Sequence, residues 1–297
     1  MTAPAVDRRT VALPRWERVA RAAPVRVAVV LVVVIWSLPT VGLLVSSFRP
    51  SAAIRATGWW EAVLHPFESA QWTVANYANV LTADGMAEAF INSLIVTIPA
   101  TVIPITVAAF AAYAFAWMSF PLRGLLFALV VGLLVVPLQM ALIPILRLYT
   151  GLDLNGTFLG TWLAHAGFGL PLAIFLLYNF ISQIPSDLIE SASLDGASHF
   201  QTFTKLVLPL SIPALASFAI FQFLWVWNDL LVSITYLGTD SAVATMPARL
   251  NELVGSKGEA WHVLTAGAFV TMLVPLIVFL ALQRYFVRGI LTGSVKA

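Results

Sequence analysis

Residues 190–209 read ESASLDGASHFQTFTKLVLP, a polar stretch that lies between two strongly apolar segments of the chain. The protein has 297 residues, of which 60% are hydrophobic and 10% are charged. Soluble domains carry about 25% charged residues, so this chain has too few to cover a water-exposed surface of its size. Apolar runs of about 20 residues span the hydrocarbon core of a bilayer. The stretch is therefore predicted to be a loop of an all-α integral membrane protein.

Six transmembrane helices are predicted from the apolar runs on either side of this stretch. They lie near residues 27–47, 90–117, 125–146, 158–180, 214–237 and 263–282. Prolines occur inside most of these runs, at Pro39, Pro99, Pro104, Pro137, Pro144, Pro171 and Pro275. Neighbouring helices and hydroxyl groups can pair with the carbonyls that a membrane proline leaves free. The prolines are therefore expected to mark kinks and not the ends of spans.

The chain is predicted to form one membrane domain with a peripheral first helix. The first apolar run is longer than the roughly 7–15 residues of a signal-peptide core, so it is expected to remain in the mature protein. The predicted segments are an N-terminal segment 1–26, a first helix with an outer loop 27–86, a core 87–284 with five helices, and a C-terminal tail 285–297. The core contains residues 181–213, which we call the polar loop.

The lysine and arginine residues predict the orientation of the chain. Eleven of the 16 basic residues fall on the side that holds both termini and the polar loop, which leaves five for the other side. Short loops on the cytoplasmic side of a membrane carry an excess of lysine and arginine. Both termini and the polar loop are therefore expected to face the cytoplasm.

The polar loop is predicted to begin with a short helix. Ser186 or Asp187 can cap this helix, because a side-chain oxygen accepts hydrogen bonds from the free N–H groups of the first turn. Gly196 permits the backbone to turn where a side chain would hinder it. A helix before Gly196 and another after it would form a helix–turn–helix.

The second helix of the polar loop is predicted over residues 198–207, and Pro209 should end it. Three apolar residues are expected to share one face of this helix, namely Phe200, Phe203 and Val207. The loop could be an amphipathic connector that covers lipid headgroups. A helix that binds headgroups is rich in lysine and arginine, whereas this loop has three acidic residues and one lysine. That charge favours a protein partner.

The polar loop resembles the EAA loop of bacterial ABC importer permeases. The pattern is E-x-A, then Gly196 four residues after Ala192, then Leu208 and Pro209 after eleven intervening residues. Ser191 stands in place of the first alanine of the family pattern.

Five further motifs resemble carbohydrate importer permeases, and more narrowly the maltose-type second permease subunit. They are N-S-L-I-V-T at 92–97, A-A-Y-A at 111–114, V-P-L-Q at 136–139, W-N-D at 227–229 and G-I-L-T-G-S-V-K at 289–296. Two longer phrases, WLAHAGFGLPLAIFLLYNF and FQFLWVWNDLLV, look closest to the α-glucoside branch. The resemblance covers nearly everything from residue 72 to residue 296.

This resemblance implies the type I ABC importer permease fold, with cytoplasmic coupling helices, in a bacterial inner membrane. The implied function is half of a translocation pathway for a di- or oligosaccharide, such as the α-glucosides trehalose, maltose and sucrose. The implied partners are a second permease subunit, two ATPase subunits that bind ATP and Mg, an extracytoplasmic sugar-binding protein and membrane lipid. With a net charge of only +2, nucleic acid is not an expected partner.

The resemblance also implies two contacts with the ATPase subunits. The polar loop would dock through Glu190, Ala192, Asp195, Gly196, Phe200, Leu208 and Pro209. The tail would make the second contact through Gly293, Ser294, Val295 and Lys296. By position alone, the tail could instead be a frayed terminus.

Polar and aromatic residues inside the spans are candidates for the transport pathway. They are Asn92, Gln139, Gln222, Trp225, Asn228 and Asp229. Amides that pair with hydroxyl groups, together with aromatic faces, suit a sugar. Each amide could equally join one helix to another, and Asp229 could be a strut near the outer end of its helix. In the maltose-type family the sugar contacts come mainly from the partner permease.

The chain is predicted to be a non-catalytic transport subunit without a cofactor or a metal of its own. It has no cysteine, its four histidines are scattered, and it lacks the phosphate loop G-x-x-x-x-G-K-[ST]. ATP hydrolysis would therefore occur in another subunit. The alternative is an ion- or proton-coupled carrier, or a channel, that acts without an ATPase. A carrier needs several ionisable groups within the membrane, and only Asp229 qualifies.

Overall fold

The computed structural model describes residues 15–82, 85–256 and 261–292, and every regular element in these ranges is helical. The first helices are α1 (Arg15–Ser47), α2 (Ser51–Ala56), α3 (Trp60–Leu64), α4 (Ala75–Thr82) and α5 (Met86–Trp117). They are followed by α6 (Arg123–Leu133), α7 (Leu138–Gly151), α8 (Phe158–Ile181), α9 (Ser186–Leu194) and α10 (His199–Thr202). The last are α11 (Leu208–Leu210), α12 (Ile212–Trp227), α13 (Leu231–Tyr236), α14 (Met246–Ser256) and α15 (Trp261–Thr292). A 3₁₀ turn lies at Ser69–Gln71 and a π-helical turn at Phe203–Val207. The all-α prediction is confirmed.

Four helices in the described ranges are long and apolar enough to cross a membrane. They are Ala23–Ser47, Met86–Trp117, Phe158–Ile181 and Trp261–Ala281. Two bent pairs bring the number to the predicted six if each pair is one crossing. The pairs are Arg123–Leu133 with Leu138–Gly151, bent by 102°, and His199–Leu210 with Ile212–Trp227, bent by 72°.

Two of the predicted spans are broken in the structure. The helix predicted over 125–146 stops at Leu133 and starts again at Leu138, after Pro137 in extended conformation (φ −63°, ψ 126°). Proline lacks the N–H that would continue the helical ladder, and it disfavours a helical conformation of the residue before it. Pro137 therefore marks a break, where only a kink was expected. The helix predicted over 214–237 ends at Trp227, and α13 is a separate helix.

The other prolines named above lie inside helices, as expected. A proline at position i cannot donate to the carbonyl of residue i−4. At three sites a side chain from another helix supplies the missing donor. Trp162 Nε1 donates to the carbonyl of Ile95 (2.8 Å), Gln222 Nε2 to that of Ala100 (3.1 Å) and Trp227 Nε1 to that of Thr271 (3.0 Å). These carbonyls are the ones left free by Pro99, Pro104 and Pro275.

The chain divides into two compact units, Met1–Thr73 and Val74–Ala297. In the second unit, α5 packs against α8, and the cluster of buried residues that they share includes Ala112 and Ala173. Small side chains let the two backbones approach closely. Phe203 from the polar loop is buried in the same cluster, so the loop is anchored in the transmembrane core.

In the part of the first unit that follows α1, one buried basic side chain holds several segments together by hydrogen bonds. Arg49 is 1% exposed, and its guanidinium donates to the carbonyls of Ala53, Thr57 and Gly58 and to the side chains of Thr57 and Gln71. These bonds are 2.6–3.1 Å long. A guanidinium remains charged, so its burial requires such acceptors.

Candidate functional site

The turn of the polar loop is built around Gly196, which has left-handed backbone geometry (φ 76°). The N–H of Ala197 donates to the carbonyl of Ala192, and the N–H of Gly196 donates to the carbonyl of Ser193, both at 3.0 Å. These two bonds form a Schellman motif that closes α9. A Cβ added to Gly196 would meet nothing within 4 Å. The glycine is therefore favoured by its backbone conformation and not by lack of space.

The start of the polar loop differs from the predicted cap. α9 begins at Ser186 with Pro185 as its N-cap residue, and no side chain makes a capping hydrogen bond there. Asp187 instead lies in the first turn, where its charge suits the positive end of the helix. The hydroxyl of Ser191 donates to the carbonyl of Asp187 (2.7 Å). The departure from the family pattern at Ser191 is thus accommodated within α9 itself.

The second half of the polar loop begins with a capping box. Ser198 Oγ accepts from the N–H of Gln201 (3.3 Å), and Gln201 Oε1 accepts from the N–H of Ser198 (2.9 Å). α10 then continues through the π-helical turn into α11, so the helix passes Pro209 and ends at Leu210. Pro209 thus lies inside the helix, which ends one residue later than we predicted.

The apolar residues predicted on one face of this helix have different environments. Phe203 and Val207 are buried, at 3% and 0% exposure, whereas Phe200 is 65% exposed. The intervening turn is π-helical, with i→i+5 bonding and more residues per turn, so Phe200 is rotated away from Val207. Leu194, the last residue of α9, is 89% exposed and was not identified from the sequence. In the sequence, the only indication of this exposed residue was a leucine directly before the polar turn. Leu194 and Phe200 together are called the exposed apolar pair.

The residues that the resemblance assigns to ATPase docking all lie on the polar loop. Exposed members are Glu190, Asp195, Gly196, Phe200 and Pro209, and partly buried members are Ala192 and Leu208. The tail residues Gly293, Ser294, Val295 and Lys296 lie outside the described residues. Both docking assignments stay predictions.

The polar loop is connected to α5 by a polar contact and by aromatic packing. The Tyr113 hydroxyl lies 3.1 Å from His199 Nδ1, within hydrogen-bond distance. The Phe203 ring centroid lies 4.7 Å from that of Phe110 and 5.4 Å from that of Tyr113. A displacement of the loop would therefore act directly on α5.

A cavity of about 340 Å³ lies among the helices of the second unit. It is formed where the break between α6 and α7 faces the middle of α8 and the second half of α12, and its walls are mainly apolar. Two of the six pathway candidates, Gln222 and Trp225, belong to its lining. Its volume falls in the range of about 300–1,000 Å³ that small-molecule sites occupy.

Gln222 both joins helices and forms part of the cavity wall. Its side chain is fully buried, and Nε2 donates to the carbonyls of Ala100 (3.1 Å) and His165 (3.4 Å). Its Oε1 has no hydrogen-bond partner among the described residues. A Cβ built on Gly169 would lie 2.5 Å from this oxygen, so the glycine in α8 makes room for the amide.

Three further pathway candidates do not belong to the cavity lining. Asn92 Nδ2 donates to the carbonyls of Ala242 and Ala244 (3.1 and 3.2 Å), which fastens the segment after α13 to α5. Asn228 Nδ2 donates to a carbonyl of its own helix, and Gln139 is exposed in the first turn of α7. The structure does not bring these amides together with Gln222.

Asp229 lies at the break between α12 and α13 and not within a helix. Its Oδ2 accepts from the N–H (3.0 Å) and the hydroxyl (3.4 Å) of Ser233, so it caps the start of α13. The same oxygen is 3.7 Å from Nε2 of the buried His165. This is the geometry of a strut, and a pathway role stays a prediction. The described residues contain no group of three or more histidine, cysteine, aspartate or glutamate side chains that could hold a metal.

Comparison with known proteins relates the chain to transport permeases. Residues 90–292 match the family model of the binding-protein-dependent transport system inner membrane component. The chain is 60% identical to the osmoprotective compounds uptake permease protein GgtD of Synechocystis sp., with 92% of each chain covered. It is 43% identical to the alpha-glucoside transport system permease protein AglG of Rhizobium meliloti, with 92% of this chain and 96% of the relative covered.

A solved structure shares the fold. It is a chain of a bacterial ABC transporter involved in the import of the acidic polysaccharide alginate, with a TM-score of 0.72 and 18% sequence identity. The similarity covers 93% of this chain and 100% of that chain, which confirms the predicted ABC importer permease fold. The protein belongs to the family of binding-protein-dependent transport system inner membrane components, as a non-catalytic permease subunit of an ABC transporter.

Proposed function

We propose that this subunit forms half of the translocation pathway of an ATP-driven importer for an α-glucoside. The 43% identical relative is named for α-glucosides and the 60% identical relative for osmoprotective compounds. These two names are chemically compatible, because sugars such as sucrose act as osmolytes. Trehalose, maltose and sucrose are therefore the first substrates to test.

The structure of the polar loop is the observation that supports a role in coupling to the ATPase. It presents an exposed acidic residue, Glu190, and the exposed apolar pair, while Phe203 holds it in the core. Such a surface suits a cleft on a cytoplasmic ATPase subunit, which would bind ATP and Mg. The other predicted docking residues and the tail residues 293–296 would complete this contact. Both termini would face the cytoplasm, as the basic residues indicate.

The proposed mechanism is alternating access together with a second permease subunit. A sugar-loaded extracytoplasmic binding protein docks on the outer side, and two ATPase subunits close on ATP and displace the polar loops. In this chain the displacement passes through His199 and Phe203 to Tyr113 in α5. From α5 it reaches α12 through the bond between Ala100 and Gln222, which lies at the cavity wall. The loop and the cavity are thereby mechanically connected.

The test is transport by the purified complex in liposomes with its binding protein. Co-purification of an ATPase and a second permease, with ATP-dependent uptake of radiolabelled trehalose, maltose or sucrose, is the expected result. Sugar uptake by this chain alone without ATP would overturn the proposal in favour of a carrier.

The coupling role is tested by reversing one charge on the polar loop. Glu190→Lys should abolish uptake and binding-protein-stimulated ATP hydrolysis while membrane insertion is retained. The comparison variant is Glu68→Lys, which reverses another exposed carboxylate, in the first unit, and should leave co-purification of the ATPase subunits unchanged. Normal uptake by the Glu190→Lys complex would exclude coupling through this residue.

A further inference from the structure

We infer that the cavity between the α6–α7 break, α8 and α12 is a subsite of this chain for a neutral, hydroxyl-bearing solute. The hydroxyl groups would donate to the carbonyl of Gly167 and to Gln222 Oε1, and a ring face would stack on Trp225. The inference rests on the proposed function, since it assigns to this subunit a share of the sugar contacts along the pathway.

The first acceptor is a backbone carbonyl that a proline leaves free. Pro171 has no N–H to donate to the carbonyl of Gly167, and both residues line the cavity. The comparable carbonyls of Ile95, Ala100 and Thr271 are paired by side chains of other helices. No described side chain donates to the carbonyl of Gly167. Free backbone groups at membrane depth are tolerated where they line a cavity, so this carbonyl can receive a donor from a solute.

The second acceptor is the amide oxygen of Gln222. Its amide nitrogen is occupied by the carbonyls of Ala100 and His165, whereas Oε1 is buried without a partner in the described part of the chain. The whole amide packs against Gly169, a lining residue without a side chain, with Oε1 and Nε2 at similar distances (2.5 and 2.7 Å) from the position of a Cβ there. A buried acceptor without a donor costs about 1–3 kcal/mol, which a donating ligand would recover.

The aromatic wall is held in place before a solute enters. Trp225 is partly buried, and its ring meets the ring of His165 edge-on, with centroids 5.4 Å apart and planes at 85°. The remaining lining residues are apolar, among them Leu134, Val136 and Phe221. Apolar and aromatic walls suit the C–H faces of a sugar ring. The volume of about 340 Å³ lies at the lower end for small-molecule sites, which suits one ring of a disaccharide.

The lining also selects against a charged solute. No charged side chain is present among the described residues that line the cavity. A zwitterionic osmoprotectant such as glycine betaine has two charges, neither of which would find a counter-charge in this lining. It also has no N–H or O–H group that could donate a hydrogen bond to the free acceptors. A sugar brings several hydroxyl donors and no charge. The walls therefore favour the sugar.

The natural absence of cysteine permits a direct binding test. Gly167→Cys places a thiol on a residue of the cavity wall, where a Cβ meets nothing within 4 Å. Trehalose, maltose and sucrose, whichever the wild-type complex transports, should slow labelling of this thiol by N-ethylmaleimide, and glycine betaine should not. Gly124→Cys is the matched control, since Gly124 also has open space but lies outside the cavity lining. Its labelling should not respond to sugar.

Transport provides the second readout. Gly167→Leu, which fills the cavity, and Trp225→Leu, which removes the stacking face, should each lower sugar uptake by about tenfold or more. Both variants should still co-purify with the ATPase subunits, and Gly124→Leu should transport like wild type. The subsite is excluded if both cavity variants import sugar as well as the wild-type complex does and no sugar protects Gly167→Cys. In that case the proposed function still stands, because the wild-type complex imports sugar. If the wild-type complex imports no sugar, the proposed function itself fails. Import of glycine betaine in place of sugar would overturn both.

Discussion

Gln222 Nε2 in α12 donates a hydrogen bond of 3.1 Å to the carbonyl of Ala100 in α5, the carbonyl that Pro104 cannot pair with. A proline in one helix and an amide in another are thus complementary, although Ala100 and Gln222 are 122 residues apart in the chain. The proline lies inside α5 with its i−4 carbonyl paired, and the amide joins two helices beside the cavity. The helix-internal proline and the interhelical contact are therefore one structural feature.

Replacing Gln222 should destabilise the permease by an amount that depends on Pro104. Gln222→Leu leaves the Ala100 carbonyl without a donor, and interhelical hydrogen bonds in membranes contribute about 0.6 and at most about 1.7 kcal/mol. In a Pro104→Ala background, the N–H of residue 104 can pair with this carbonyl, so Gln222→Leu should cost less. Thermal unfolding of the four proteins in detergent measures this difference. Gln139→Leu is the control, because Gln139 is exposed. Strictly additive effects would contradict the pairing.

A side chain at Gly196 should impair coupling more than the same change elsewhere. Gly196→Ala forces a left-handed conformation on alanine at φ 76°, which costs about 1–2 kcal/mol. Gly156→Ala imposes the same strain at φ 75°, also with open space around the Cβ, but outside the polar loop. Only Gly196→Ala should lower sugar uptake per ATP hydrolysed in liposomes. Equal losses in both variants would point to general backbone strain.

The contact between Tyr113 and His199 should matter for coupling and little for folding. Tyr113→Phe removes only the hydroxyl that lies 3.1 Å from His199 Nδ1, and a neutral hydrogen bond contributes about 0.5–1.5 kcal/mol. We expect a lower ratio of uptake to ATP hydrolysis with a small change in melting temperature. Tyr178→Phe removes a hydroxyl from a partly buried tyrosine of the same core and should leave the ratio unchanged. An unchanged ratio in Tyr113→Phe would exclude this contact as a link.

The exposed apolar pair should contribute to ATPase binding. Leu194→Glu and Phe200→Glu place a charge on side chains that are 89% and 65% exposed, so the fold should tolerate both changes. Each should weaken association with the ATPase subunits by about tenfold or more, as loss of a central interface contact does. Phe67→Glu, at a residue 99% exposed in the first unit, should have no such effect. Quantitative co-purification measures all three. Retention of the ATPase by both loop variants would rule out an apolar contact there.

The sequence alone determined the class of the protein and the plan of the polar loop. Membrane insertion follows from long apolar runs, and the turn at Gly196 follows from the φ that glycine permits. Both are local properties, which a single stretch of chain carries. For the same reason, the EAA pattern of the polar loop was enough to indicate the permease family that the comparisons confirm.

Tertiary structure alone decided which side chains meet. The sequence did not predict the break at Pro137, the exposure of Leu194, or the separation of Phe200 from Phe203. The sequence offered Gln222 as one of six equivalent pathway candidates. Only the packing of the helices showed that it lies beside a cavity and pairs with a carbonyl that a proline leaves without a donor. Hydropathy marks a helix as apolar on all sides, so it does not report how that helix rotates about its axis. The rotation of each helix about its axis is set by contacts between residues far apart in the chain. Those contacts form only in the folded bundle.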